Sequence, residues 1–336
     1  MCFPHPRLRA SLDDPLMKNS RTVLADLATF RKELKEHEPD CSGLCQMNLW
    51  RPPLDIAFDW IVILTAIFSG YRLGPVTYPF VVFVVANRQR ALGNLLHDAG
   101  HQNLYRKKIV NDLVGVIFLA PALMSDLGIY RDLHFRHHAM LGKPESDPDY
   151  ILPFSVGLRP WWVTYRDLAF SRTAWLGSIV GHTVKAGVDW RCRAYIILWW
   201  IIVCGLFAAC VNVSFAMLFL LLWFFAKGTV FHIVTIFREM CDHFNLEPGG
   251  IYSFTRDIIA ARPWCWIIHP RNNAYHLSHH LMPSVPYYRL PEAQKTFARL
   301  PSYVRESTVC RAYFLGSDAV VHCPLVKEQE IACDQV

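Results

Sequence analysis

Eight of the fifteen histidines in this 336-residue sequence lie in three short groups. In chain order they are the first His cluster, HDAGH (His97 and His101), the second, HFRHH (His134, His137 and His138), and the third, HLSHH (His276, His279 and His280). Positions i, i+3 and i+4 of a helix lie on one face, so each cluster can direct two or three imidazoles at a common point. Grouped imidazoles are typical of metal sites, and each cluster therefore predicts part of one.

The number of imidazoles predicts a dinuclear metal centre. Eight rings are too many for one ion, because zinc sites use three or four protein ligands, but they suit two ions with positions left open for oxygen or water. Imidazole binds zinc, copper, iron and nickel, so the ligands alone leave the metal open. The first cluster also differs from the H-E-x-x-H of zinc proteases, because Asp98 replaces the glutamate that would act as base.

A ninth histidine ligand is expected outside the clusters. The candidates are His182, His232, His243 and His269. We prefer His243, which follows the last apolar segment in REMCDHFNL beside Arg238, Glu239 and Asp242, because such neighbours can orient an imidazole. His232 shares its helical face but should lie nearer the lipid, and we interpret it as structural. Four further residues could orient imidazoles or serve only in loops and caps: Asp147, Asp149, Asn272 and Asn273.

The composition indicates a membrane protein. Hydrophobic residues make up 53% of the chain and aromatic residues 13%, more than is usual in a soluble globular protein. The formal charge of +6 could indicate nucleic acid, but the basic residues are scattered between apolar segments, as positively charged loops would be. Membrane association without a nucleic-acid partner is therefore predicted. The eleven cysteines, with no C-x-x-C pair, are interpreted as reduced thiols.

Four apolar segments predict four transmembrane helices in two hairpins. The segments are 54–70, 76–97, 194–211 and 215–234. The apolar stretch 109–124 is short and contains Asn111, Asp112 and Pro121, so a re-entrant or interfacial segment is expected there. Each hairpin returns the chain to its starting side, which places all three His clusters on one face. Many basic residues lie between the two hairpins, whereas the hairpin turns contain only Arg72. Positive charge favours the cytosolic side, so the face with the three His clusters and both termini are expected in the cytosol.

The predicted fold is all-α and integral to the membrane, with a cytosolic histidine-rich cap. Residues 1–53 would form a cytosolic N-terminal segment, 54–300 the membrane domain with the three clusters, and 301–336 a cytosolic C-terminal tail. Apolar residues at helical spacing in 22–37 predict an amphipathic helix. That helix could lie in the cytosol or on the membrane surface, or it could simply pack against the rest of the protein.

The three clusters resemble, in order and spacing, those of the integral-membrane fatty acid desaturase family, which includes membrane hydroxylases and carotenoid ketolases. The resemblance rests on HDAGH, YRDLHFRHHAMLGKPESDPDY and YHLSHHLMPSVPYYRLPE and covers about residues 54–295. It implies four membrane helices under a cytosolic cap and a di-iron centre with histidine ligands that activates O2. His243 is similar in position to an additional histidine ligand of such enzymes.

The resemblance also implies O2-dependent desaturation of an acyl chain in a fatty acid or acyl lipid. Some family members carry a fused cytochrome b5 with an HPGG motif, whereas this chain has EPGG at 247–250. We therefore expect a separate electron donor, such as ferredoxin, rubredoxin or cytochrome b5 with its reductase. Two alternatives stay open: a hydroxylase or ketolase of the family acting on an alkane, carotenoid or other apolar molecule, and a histidine-rich metal transporter or receptor. Transporters tend to place ligands near mid-membrane, whereas these clusters follow the spans.

Overall fold

The computed structural model describes residues 15–150, 160–185 and 187–322, and the described chain is mostly helical. The expected cytosolic position of both chain termini concerns residues outside these ranges. The first seven helices are α1 (Pro15–His37), α2 (Arg51–Leu73), α3 (Tyr78–Gly100), α4 (Lys108–Val114), α5 (Leu127–Met140), α6 (Trp161–Ala169) and α7 (Arg172–Val180). The next eight are α8 (Trp190–Cys210), α9 (Val213–Ala226), α10 (His232–His243), α11 (Ile251–Phe254), α12 (Arg262–Ile268), α13 (His276–Leu281), α14 (Leu290–Phe297) and α15 (Pro301–Glu306).

Three helices in the described ranges are long and apolar enough to cross a bilayer. They are α2, α8 and the continuous Val213–His243, which joins α9 to α10 through the π-helical segment Lys227–Phe231. Large apolar side chains such as Ile61, Ile201 and Leu221 are exposed on their surfaces, as lipid-facing residues are. A bent pair, Lys108–Leu123 with Leu127–Met140, would add a fourth span if it crosses as one unit. Composition and length therefore allow three or four crossings.

Helix α3 differs from the second membrane span expected at 76–97. It contacts α2 as a hairpin partner should, with Val81 lying close to Gly70 of α2. Its second half, however, carries buried polar side chains that include Arg90 and Asn94. For this reason α3 is not among the helices whose length and composition suffice for a span. The polar half instead carries the first His cluster at its end.

The apolar stretch 109–124 is broken and sharply bent. After α4 it continues as a π-helical and then a 3-10 segment, ends at Met124 with a φ of 61°, and turns by 86° into α5. Three indole N–H groups donate to its carbonyl oxygens at 2.8–3.1 Å: Trp60 to Phe118, Trp199 to Ile117 and Trp200 to Pro121. Irregular backbone needs such partners at membrane depth. This geometry is that of a broken span or a re-entrant loop.

Helices α1, α11, α13, α14 and α15, together called the cap, contribute to one apolar core. They come from both ends of the described chain. The helix expected at 22–37 is the second part of α1, and its apolar side faces this core: Phe30 is fully buried and packs edge-on against Phe297 at 4.9 Å between ring centroids. The packing interpretation of this helix is therefore the one that the structure favours.

A short sheet within the cap departs from the all-helical prediction. Strands β1 (Arg256–Ile258) and β2 (Thr308–Cys310) pair in parallel, with Asp257 opposite Val309. The sheet fixes the segment after α15 to the backbone that precedes the third His cluster.

Charged residues join α2 and α3 to the turn before the third His cluster. Asp59 is fully buried, and its carboxylate accepts hydrogen bonds from Arg88 at 2.9 Å and from Arg271 at 2.7 Å. Arg271 also pairs with Asp55 at 2.5 Å. Arg271 and Asn272 both have left-handed backbone, at φ 62° and 60°, which is unusual for arginine. The ion pairs therefore hold a strained turn in place.

We expect Asp59→Ala to lower the free energy of unfolding by about 3–5 kcal/mol, because it leaves two largely buried guanidinium groups without this carboxylate. Unfolding would be measured in detergent micelles. Asp132→Ala, which removes an exposed carboxylate from α5, is the matched control and should change little. Equal stability of the two variants would show that the buried ion pairs do not hold this junction together.

Candidate metal centre

The three His clusters meet beneath the cap, each carried by a different helix. The first ends α3, the second lies in α5, the third forms most of α13, and His243 is the last residue of α10. Seven of these nine histidines are buried, whereas His101 and His138 are partly exposed. The i, i+4 pairs of each cluster share a space, whereas the i+3 rings, His137 and His279, join the other group of rings.

The ring nitrogens form two adjacent groups. The five-histidine group has one nitrogen from each ring within 4.8 Å of the others and contains His97, His101, His134, His138 and His279. The three-histidine group contains His137, His276 and His280, and one nitrogen from each of its rings also lies within 4.8 Å of the others. His243 adds a fourth ring to the second group, since its Nε2 lies 3.2 Å from Nε2 of His276. The rings of His138 and His280 stack at 4.1 Å between centroids, so the two groups adjoin.

Several Nε2 atoms face one another in a way that hydrogen bonds cannot satisfy. Nδ1 of His243 lies 2.8 Å from the carbonyl oxygen of Phe254 and must donate to it, so Nε2 of the neutral ring has a lone pair. This lone pair faces Nε2 of His276, which faces Nε2 of His280 at 3.1 Å as well. Nitrogen ligands about 2.1 Å from a shared ion would be about this far apart. The donor set therefore fits metal ions.

The five-histidine group repeats this arrangement. Its Nε2 atoms approach in a chain, from His101 to His134 at 2.8 Å, from His134 to His138 at 3.1 Å, and from His138 to His279 at 3.1 Å. A neutral ring has only one N–H, so a nitrogen that faces two others cannot pair with both as donor. A shared cation would satisfy all of them at once.

Burial keeps the third His cluster in the form that binds metal. The pKa values of His276, His279 and His280 lie well below the ordinary histidine value, chiefly because burial disfavours the charged ring. Neighbouring imidazoles lower the pKa of His279 and His280 further. Near neutral pH these rings are neutral and can ligate a metal without releasing a proton.

Asp147 orients a ring of the three-histidine group. Its Oδ1 accepts from Nδ1 of His137 at 2.7 Å, and this leaves Nε2 of the neutral ring unprotonated. Burial raises the pKa of Asp147, but the interaction with His137 and the hydrogen bonds from the backbone N–H groups of Gly142 and Asp149 together outweigh burial, so the pKa lies below its ordinary value. Asp149 is a weaker partner, because its carboxylate is half exposed and 4.0 Å from the same nitrogen.

The other residues considered as orienting groups behave differently. Asp242 lies 3.7 Å from Nδ1 of His276 and accepts from Arg238 at 3.0 Å. Asn273 accepts from Arg238 at 2.9 Å, and Asn272 donates to the carbonyl of Tyr287 at 3.1 Å. The two asparagines therefore shape the loops around the centre and have no hydrogen bond to its rings.

The three remaining candidates for a ninth ligand are engaged elsewhere. His182 accepts from the backbone N–H of Asp126 at 3.0 Å. His232 bonds Ser178 and the carbonyl of Ala169, each at 2.8 Å. His269 lies 2.8 Å from the hydroxyl of Tyr313 and 3.4 Å from Asp242. Their ring nitrogens join neither group of histidines, so His243 alone among the four candidates lies at the centre.

Sequence reasoning missed Asp257, which supports the third His cluster through Ser278. It is fully buried and accepts from the backbone N–H of Ser278 at 3.0 Å, from the Ser278 hydroxyl at 2.5 Å and from the Tyr303 hydroxyl at 2.7 Å. Burial raises the pKa of Asp257 to about 6. Its partners lie 21 and 46 positions away in sequence, so no local pattern could identify it.

Comparison with known proteins agrees with this geometry. A family model described as fatty acid desaturase matches residues 73–308, which include the three His clusters and His243. The chain belongs to the fatty acid desaturase family. The resemblance noted in the sequence is thus confirmed, and this desaturase is an oxidoreductase whose three or four apolar helices fit a membrane-bound enzyme.

The sequence is similar to two curated proteins that are named as desaturases. It is 27% identical over 271 residues to dihydrorhizobitoxine desaturase of Bradyrhizobium elkanii, an alignment that covers 74% of this chain and 76% of the relative. It is 35% identical over 100 residues to sn-1 oleoyl-lipid 12-desaturase of Anabaena variabilis, which covers 28% of each chain. Both relatives are named as desaturases, although their names indicate different substrates.

We expect Asp147→Ala to lower the iron affinity of the purified desaturase about 10- to 100-fold, as loss of a carboxylate that orients a ligand does. The affinity would be measured by competition with a chromophoric iron chelator. Asp149→Ala is the control, since it removes a nearby carboxylate that makes no close bond to His137. If both variants bound iron as tightly as the wild type, Asp147 would have no part in orienting the ring.

Proposed function

We propose that this desaturase removes two hydrogens from the acyl chain of a fatty acid or acyl lipid, using O2 and electrons from a separate donor protein. The observation that carries this proposal is the convergence of nine histidines into two adjacent groups. One iron ion would be held from the group His97, His101, His134, His138 and His279, and the other from His137, His243, His276 and His280.

The proposed centre divides the chemistry between metal and protein. The two iron ions, when bound, supply O2 activation and hydrogen removal from an unactivated C–H bond. The chain holds the third His cluster neutral by burial, and fixes the rings of His137 and His243 through Asp147 and the carbonyl of Phe254. These contacts select the ring nitrogen that faces the metal position and prevent the ring from turning away.

An apolar groove supports a lipid-like substrate. A cavity of about 700 Å³ lies between α2, the broken segment after α4, and α8. Its walls include Ile56, Trp60, Leu64, Phe118, Trp199 and Phe207. A lining of this kind suits a hydrocarbon chain that enters from the bilayer. The name of the relative from Anabaena, an oleoyl-lipid desaturase, supports an acyl substrate as well.

The proposed topology has four membrane crossings in two hairpins, α2 with α3 and α8 with α9. The polar half of α3 would cross within protein, because its charged side chains lie against neighbouring helices and are largely buried. The basic residues between the hairpins, among them Arg106, Lys107 and Lys108, support a cytosolic position for the cap and the His clusters.

A separate electron donor, such as ferredoxin, rubredoxin or cytochrome b5, forms part of the proposal. The EPGG segment at 247–250 has a structural contact instead of a haem ligand: the adjoining Ile251 N–H donates to Asp26 of α1 at 2.6 Å. Gly250 has a φ of 150° and lies so close to this carboxylate that a Cβ would clash with it. This glycine is therefore required where the loop packs against α1.

We expect His279→Ala to abolish desaturation, because it removes a ring that contacts members of the first and second His clusters. The measurement is mass spectrometry of lipids from cells that make the variant or the wild type, with matched iron and reductase. A species lighter by two hydrogens should occur only with the wild type. The control is His37→Ala, which removes an exposed histidine from α1.

Each outcome of that measurement has a definite meaning. Equal product from His279→Ala and wild type would contradict the ligand assignment. A species heavier by one oxygen, present only with the wild type, would replace desaturation with hydroxylation, which the same family includes.

We expect purified active protein to contain about two iron ions per chain, given the number of imidazoles and the open positions that catalysis needs. Metal content would be determined by elemental analysis alongside oxygen consumption. Fully active protein with one zinc ion and no iron would overturn the proposed centre.

A further inference from the structure

A second cavity adjoins the proposed centre and is lined by charged residues. It measures about 440 Å³ and lies among α3, α7, α10 and the π-helical segment between α9 and α10. His97 of the five-histidine group forms part of its wall. The charged side chains that line it are Arg90, Lys185, Lys227 and Arg238, with the acidic Asp149 and Glu239. A molecule in this cavity would therefore reach the metal ligands from a polar side.

Two of the cations, Arg90 and Lys227, make no ion pair within 4.0 Å to any residue of the described ranges. Arg90 and Lys227 are 6% and 2% exposed. Nε and Nη2 of Arg90 have no hydrogen-bond partner there, and Lys227 has no hydrogen bond or ion pair to a described residue. Both cations lie against the ring of Phe231, at 5.8 Å and 4.5 Å from its centroid, so they share one region of the cavity.

The acidic residues of the cavity are engaged with other groups. Glu239 lies 3.2 Å from Arg238, which also pairs with Asp242 at 3.0 Å. Asp149 is half exposed and lies 4.0 Å from His137. None of these carboxylates is within ion-pair distance of Arg90 or Lys227. Burying a cation without an ion-pair partner is unfavourable, and an anion in the cavity would offset that cost.

We propose that Arg90 and Lys227 bind the carboxylate of the substrate, so that the substrate is a free acid and not an ester. This inference rests on the proposed function and narrows it. Arg90 lines the cavity, and its guanidinium can donate charge-assisted hydrogen bonds to a carboxylate there. Lys227 supplies a second positive charge beside the same ring.

The position of Arg90 separates the carboxylate from the reacting carbon. Arg90 and His97 lie on one helix and line one cavity, two turns apart. At 1.5 Å per residue their backbone positions are about 10 Å apart along the axis. The acid would therefore react at a carbon that is remote from its carboxylate.

The test uses the iron-loaded full chain in neutral detergent micelles, titrated with decanoate, methyl decanoate and decyl phosphate. Binding would be followed by calorimetry and by thermal unfolding. We expect decanoate to bind at least about tenfold more tightly than its methyl ester, because the ester has no negative charge to pair with Arg90 and Lys227. Arg90→Gln and Lys227→Met should each weaken decanoate binding by about tenfold or more.

The matched control is Lys185→Met, which removes an exposed cation from the rim of the same cavity. Water and salt screen this charge, so decanoate affinity should change by less than about threefold. Without ligand, Lys227→Met should unfold at the wild-type temperature or higher, because it removes an unpaired buried charge. A lowered unfolding temperature with unchanged decanoate binding would assign Lys227 a structural role and overturn the inference.

Equal binding of decanoate and methyl decanoate would also overturn the proposed carboxylate site. Unchanged decanoate affinity in both Arg90→Gln and Lys227→Met would overturn it as well. Tighter binding of decyl phosphate than of decanoate would assign the anion to a phosphate ester and exclude the carboxylate. Failure of the proposed function gives a different result: wild type and His279→Ala would yield the same lipids, whatever the affinities for decanoate. Acyl products that persist unchanged in Arg90→Gln would leave desaturation standing without the carboxylate site.

Discussion

The structure depends on holding nine imidazoles, seven of them buried, with their ring nitrogens facing one another. Such an arrangement is unfavourable by itself, because nitrogen lone pairs about 3 Å apart repel unless a hydrogen or a cation lies between them. Helices from two parts of the molecule hold the rings there: α3 packs against the apolar helix α2 and α10 continues from the apolar helix α9, whereas α13 comes from the cap. A bound metal ion would therefore link the cap to the membrane helices, and metal binding would stabilise the whole fold.

The third His cluster shows how much support such a centre needs. Helix α13 has six residues, too few to be stable without tertiary contacts. It is anchored at both sides: the ion pairs of Arg271 with Asp55 and Asp59 fix the turn before it, and Asp257 binds Ser278 within it. Each anchor comes from a distant part of the chain, so the position of the rings depends on the fold as a whole.

The sequence predicted those features that depend on local spacing. The i, i+3, i+4 pattern identified the eight clustered histidines, long apolar runs located α2, α8 and α9, and the polar neighbours of His243 singled it out among four candidates. It could not predict that Asp257 would lie beneath Ser278, because that contact joins residues far apart in sequence. The buried polar half of α3 was missed for a related reason, since an apolar run was extended past Arg90 to reach the first His cluster. Whether a charged residue faces lipid, protein or a cavity is decided by packing, which periodicity does not reveal.

The two cavities have opposite character, one apolar and one lined by charged residues beside His97, and their difference bears on selectivity. An apolar groove distinguishes hydrocarbon chains weakly, because one methylene more or less changes binding by only about 1–3 kcal/mol. A buried polar site rejects molecules that lack the matching group far more strongly, since its own donors are then left unpaired. Lys227 lies in the apolar run LWFFAKGTVF, where a charge is unfavourable unless it has a task. The two cations near His97 therefore concentrate the means of choosing a substrate beside the site of reaction, and the apolar groove supplies access from the bilayer.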